Sequence, residues 1–143
     1  MDSALYNRDI LRLATTLIAN DRLPVADGTA EVRSPICGSR IQADITTNAD
    51  SRITGLALRA NACALGQASA AILRKNAVGE PVEMIAMLRD GIFKALNSQD
   101  DMPSVWAELK LLSSARDYPA RHAAILLPYD AVIAAAQKTK VES

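Results

Sequence analysis

The chain of 143 residues holds two cysteines, Cys37 and Cys63, and one histidine, His122. These residue types bind zinc or iron, the cysteines as thiolates and the histidine through a neutral ring nitrogen. Cys37 stands in Ser34-Pro35-Ile36-Cys37-Gly38-Ser39-Arg40. Gly38 lets the backbone turn sharply there and expose the neighbouring sulfur. Cys63 follows Asn61-Ala62 at the point where a helix-forming run begins, and the unpaired amides of a helix N-terminus favour a thiolate. The cysteines lie 26 positions apart (37 to 63), so only folding can join them. Spacing alone leaves other readings open. A free cysteine is often a small buried hydrophobe, and two whose Cα atoms come within about 7 Å can form a disulfide. His122 also reads as an exposed histidine near a helix start. Asp27 and Asp44 are possible carboxylate donors, with solvated surface charge as the plainer account of both.

The elements that must position these groups follow from the periodicity. Tyr6, Ile10, Leu13 and Leu17 recur at helical spacing, with Ser3 as a cap, and Asn20-Asp21 and Pro24 end the helix. Asp27-Gly28 marks a turn. Period two then takes over in Ala30–Val32, Ile41–Thr46 and Leu56–Ala60, with Asn48-Ala49-Asp50-Ser51 as a hairpin turn. Three short strands, each with one buried face, predict an antiparallel meander. From Cys63 onward the pattern is helical. Ala64 to Lys75 is rich in small helix formers and stops at Val78-Gly79. A second helix starts at Glu80-Pro81, with Met84, Ile85, Leu88, Ile92 and Leu96 on one face and Pro81 in its first turn. Val105, Leu109 and Leu112 predict a third, short helix with Trp106 as a core residue. Pro119 to Lys138 predicts a final helix that Pro128 kinks or delays. Strands followed by helices make the fold class α+β: a three-stranded antiparallel sheet, an N-terminal helix, and several C-terminal helices packed on one face, in a single domain over residues 1–143.

Composition narrows the function classes. The formal net charge is zero, half the residues are hydrophobic and 3% are aromatic, so Ala, Leu, Ile and Val must fill the core. No long basic run marks a nucleic-acid footprint or a membrane-surface patch, and no apolar run approaches the roughly 20 residues of a membrane span. Charged residues interrupt positions 1–20, which do not read as a signal peptide. Two cysteines are too few for a secreted disulfide framework, which makes a reducing cytoplasm the expected location. No serine–histidine–aspartate signature, phosphate loop or paired-acid arrangement is present.

Three motifs in order resemble the U-type scaffold family of iron–sulfur cluster assembly (NifU N-terminal, IscU- and SufU-like), over about Tyr6 to Ala135. Ser34-Pro35-Ile36-Cys37-Gly38-Ser39 is similar to the family's N-P-x-C-G-D. Asn61-Ala62-Cys63-Ala64-Leu65-Gly66-Gln67-Ala68-Ser69-Ala70 is similar to its G-C-A-I-S-x-A-S-A-S. Pro119-Ala120-Arg121-His122-Ala123-Ala124-Ile125-Leu126 aligns without a gap to the P-A-R-x-K-C-A-x of one branch. The resemblance implies a SufE/NifU-like fold and a scaffold or carrier rather than a turnover enzyme. It implies that Cys37 and Cys63 ligate iron, zinc or a transient iron–sulfur cluster, or accept sulfur from a cysteine desulfurase, and that apo iron–sulfur proteins receive the product. Some members carry a histidine beside the third cysteine, which makes His122 a candidate third metal ligand. The sequence departs from the pattern twice: the third cysteine falls on Ala124 and the aspartate on Ser39. A tetrahedral centre takes four donors, and two thiolates supply half. The departures keep two alternatives open: a degenerate paralogue that binds the assembly machinery without metal, and a dithiol redox or sulfur-relay protein.

Overall fold

The structure, a computed structural model, describes residues 7–35 and 38–142. Ser3, Tyr6 and Cys37 lie outside the described residues. The elements run α1 (Arg8–Thr15), β1 (Gly28–Arg33), β2 (Arg40–Thr47), β3 (Ile53–Asn61), α2 (Ala64–Asn76), α3 (Val82–Leu96), a 3₁₀ run (Ala107–Ala115), a 3₁₀ turn (Pro119–Arg121) and α4 (His122–Glu142). The strands form one antiparallel sheet in the order β1-β2-β3, the expected meander.

Alternation sorts the strand side chains between two faces. Ile41, Ala43 and Ile45 of β2 are fully buried, beneath α4, which lies across β1 and β2. At the start of β1, Gly28 lets the two backbones nearly touch: a Cβ there would collide with the Ala135 carbonyl oxygen. The opposite face carries Gln42, Asp44 and Arg59 beneath the α1–β1 connection. Asp44, expected as solvated charge, is 4% exposed and faces Arg59 at 3.0 Å. Its oxygens also accept from the Leu23 amide and the Thr29 hydroxyl. Burial works against the Asp44 carboxylate, but the Arg59 hydrogen bonds and charge, with Leu23 and Thr29, outweigh it and hold the carboxyl below its ordinary range. Asn48 pins the β2–β3 hairpin, its side-chain oxygen accepting from the amides of Asp50 and Arg52.

The helices follow the same logic. Asn7 caps α1, accepting from the Ile10 amide at 3.0 Å. Every residue of α2 from Leu65 to Leu73 except Gln67 is buried, because the helix lies against α1, α4 and β3 together. Its small residues permit that close packing on several sides. Pro81 stands one residue earlier than expected, at the N-cap of α3. Ile85, Leu88, Ile92 and Leu96 turn inward as read.

The segment around Trp106 differs from expectation. It forms a 3₁₀ run, with Trp106, Leu109, Leu112 and Ala115 all buried and Val105 51% exposed. Three residues per turn places every third side chain on one face, so Trp106, not Val105, belongs to the inward row. The final helix also starts differently: Pro119–Arg121 is 3₁₀ and the α-helix begins at His122. It continues through Pro128, which has no amide proton to offer the Ala124 carbonyl one turn back. No helix among the described residues is long and apolar enough to cross a membrane.

Candidate metal and sulfur site

Strand register brings the two cysteine-bearing segments to one end of the sheet. Arg33, the last residue of β1, pairs with Arg40, the first of β2. Arg40 pairs in turn with Asn61, the last residue of β3. The β1–β2 connection and the β3–α2 junction therefore leave the sheet side by side. Within the connection the Ser34 amide donates to the Ser39 carbonyl at 2.9 Å, and the Gly38 amide to the Ser34 carbonyl at 3.0 Å. Gly38 has φ +73°, a conformation glycine takes at no steric cost. Ile36 and Cys37 are outside the described residues; Ser34 before them and Gly38 and Ser39 after them make these two hydrogen bonds.

Cys63 is the N-cap of α2 and half-buried, with its thiol free. Its sulfur makes no capping hydrogen bond, so the group is not committed to holding the helix end. Its carbonyl accepts from the Gln67 amide at 2.9 Å. One turn into the helix, Gly66 faces α4: a Cβ on it would stand 3.0 Å from the Ala62 Cβ and 3.3 Å from the Ala124 Cβ. Ala124 therefore packs beside the first turn of α2. A second tie follows three residues on, where the buried Ser69 hydroxyl donates to the Ile125 carbonyl at 2.7 Å.

The other sequence candidates are placed as follows. Ala124, which has no donor atom, is 1% exposed, and Ser39 is buried at the start of β2. His122, read either as a ligand or as an exposed residue, is 8% exposed. Its Nε2 lies 2.8 Å from the Ala115 carbonyl oxygen, and the ring borders a hollow lined by Leu96, Asn97 and Arg116. The Nε2–carbonyl bond leaves Nδ1 as the nitrogen free to accept a metal. Asp27 is exposed and accepts from the Thr47 amide at 2.9 Å, and Asp44 is occupied by Arg59. Among the described residues no three histidine, cysteine or carboxylate side chains gather as a metal-binding group. Sequence reasoning missed the ionic contact beneath Arg59, whose partner is 15 residues away and follows no period. It also missed a hollow beside Asn61 and Gln67 lined by Arg22 and Arg40.

Comparison with known proteins adds three findings. The family model of the NifU-like N terminal domain matches residues 14–125. The structure superposes on a nitrogen-fixing NifU-like protein (N-terminal) from Brucella abortus with a TM-score of 0.91 and 31% identity, over 99% of this chain and 98% of that one. It also superposes on a protein from the thermophile Fervidobacterium islandicum AW-1, proposed as an iron–sulfur cluster assembly scaffold for the SUF system. There the TM-score is 0.83 and the identity 16%, over 95% of this chain and 99% of that one, a likeness of fold alone. No curated protein matches the sequence. The match over residues 14–125, with the near-complete superposition at 31% identity, shows that the chain belongs to the NifU-like N-terminal domain family.

Proposed function

We propose that the protein is an iron–sulfur cluster assembly scaffold whose cargo is held or received at Cys37 and Cys63. The observation that supports this is the register Arg33–Arg40–Asn61, which sets the end of β1 and the start of β2 beside the junction that leads to Cys63. Iron, zinc or a transient cluster bound there is cargo, not a resident cofactor. His122 would serve as the third donor only if its ring left the Ala115 carbonyl; external ligands complete the coordination, since four donors are needed.

Sulfur arrives from a cysteine desulfurase as a persulfide. A site thiolate attacks the outer sulfur, the donor's S–S bond breaks, and the donor cysteine leaves as a thiolate, with no net oxidation. Attack of this kind needs an accessible thiolate, and Cys63 is half-exposed with a free thiol. The product passes to an apo iron–sulfur protein, so the chain acts as a carrier rather than a turnover enzyme. We assign it to a reducing cytoplasm, where its thiols stay reduced.

Anaerobic purification with metal analysis tests this. Stoichiometric iron or zinc in the wild type, lost in both Cys37→Ser and Cys63→Ser, is the expected result. Metal retained in both variants would overturn it.

Ala124 favours a second reading. With alanine in place of the third cysteine and Ser39 buried in place of the aspartate, the chain would be a metal-free paralogue that binds the assembly machinery. Binding to a cysteine desulfurase with no bound metal in either purified state distinguishes it from the scaffold.

A further inference from the structure

We infer that the hollow beside the β3–α2 junction is a binding site for a small organic carboxylate. The hollow is about 350 Å³ and is lined by the loop after α1, by Arg40, Gln42, Arg59 and Asn61 of the sheet, and by Gln67 of α2. That volume is in the range of small-ligand sites. Its lining includes three arginines and no carboxylate.

The charge balance decides which of these arginines are available. Arg59 uses four of its five N–H donors. It donates to Gln42 through Nε, to the Asp21 carbonyl and Asp44 through Nη1, and to Asp44 through Nη2. The neighbouring acids are also taken. Asp21 pairs with Arg74 at 2.8 Å and Glu31 with Arg33 at 2.7 Å, while Asp44 pairs with Arg59. Arg22 and Arg40 are in no ion pair among the described residues. Two guanidinium groups without a directly paired carboxylate thus stand at the wall of one hollow, Arg40 sharing the field of Glu31 with Arg33. Arginine forks match carboxylates two hydrogen bonds at a time.

The amides sharpen the ligand class. Asn20 and Asn61 line the same hollow, and an asparagine amide offers both donors and acceptors, which suits a polar organic acid. No glycine lines it, so the backbone cradle typical of phosphate sites is missing from its wall. The inference does not rest on metal or sulfur chemistry at Cys37 and Cys63, and it is tested on metal-free protein.

The test is calorimetric titration of the full chain with succinate, phosphate and chloride at fixed ionic strength. Saturable succinate binding, at least tenfold tighter than that of either inorganic anion, is expected. The double variant Arg22→Gln with Arg40→Gln should weaken it at least tenfold, and Lys110→Gln with Lys138→Gln, an equal change of charge elsewhere, should leave it unaltered. The pair Arg22→Lys with Arg40→Lys keeps the charge but loses the forks, so an intermediate affinity is expected. Thermal melting confirms that each variant is folded. No saturable succinate binding, tighter phosphate binding, or equal loss in Lys110→Gln with Lys138→Gln would overturn the assignment.

Discussion

Cys63 and Ala124 show how much a single side chain decides. Ala124 sits against the first turn of the helix that Cys63 caps, with Gly66 leaving the space between. A sulfur at position 124 would join that turn, and a carboxylate at position 39 would join the same sheet end. Ala124→Cys combined with Ser39→Asp should therefore raise zinc affinity at least tenfold in competition with a chelator; unchanged affinity would count against both positions as part of the site. A second residue-scale prediction concerns Asp44, whose carboxyl is held below its ordinary value. A depressed folded-state pKa stabilises above the unfolded value of 3.8. That contribution is lost as the pH falls below it. Asp44→Asn leaves Arg59 buried without its counter-charge and should destabilise by about 3 kcal/mol at pH 7. Its unfolding midpoint should also fall less between pH 5 and pH 3 than that of the wild type. The motifs at Cys37 and Cys63 were visible in the sequence because their neighbours are distinctive. Asp44 was not, since nothing local announces that Arg59 will lie over it.

Among the elements, legibility followed the period. The alternation of Ile41, Ala43 and Ile45 announced β2 and its buried face, and the structure places all three in the core. The run from Trp106 to Ala115 was read with a helical spacing. Its inward row falls at every third residue, and the two spacings share Leu109 and Leu112, so those two residues alone could not separate them. The contact between β1 and α4 left no local trace, because Gly28 looked like a turn residue and its role is to admit a distant carbonyl. Gly28→Ala should cost about 2 kcal/mol of stability by denaturant unfolding, because the new methyl meets the backbone of Ala135 and backbone cannot swing away. A loss within a few tenths of a kcal/mol would show that α4 can slide over the sheet.

For the whole molecule, topology makes the proposed site. A β1-β2-β3 meander returns β1's end, β2's start and β3's end to one edge, so residues far apart in the chain become neighbours. The order of strands and helices in the sequence was enough to anticipate this. The orientation of His122 was not, because a histidine at a helix start can turn toward the sheet end or toward the Ala115 carbonyl with the same sequence pattern. Cobalt(II) titration of the reduced protein, read by its thiolate-to-metal charge-transfer absorption, tests the shared site most directly. Each coordinated thiolate adds to that band, and about one cobalt per chain with the intensity of two thiolates is the predicted endpoint. Cys37→Ser and Cys63→Ser should each weaken the band and the affinity together. A band that survives at full strength in either variant, or two weak bands that titrate independently, would contradict a single site built from both cysteines.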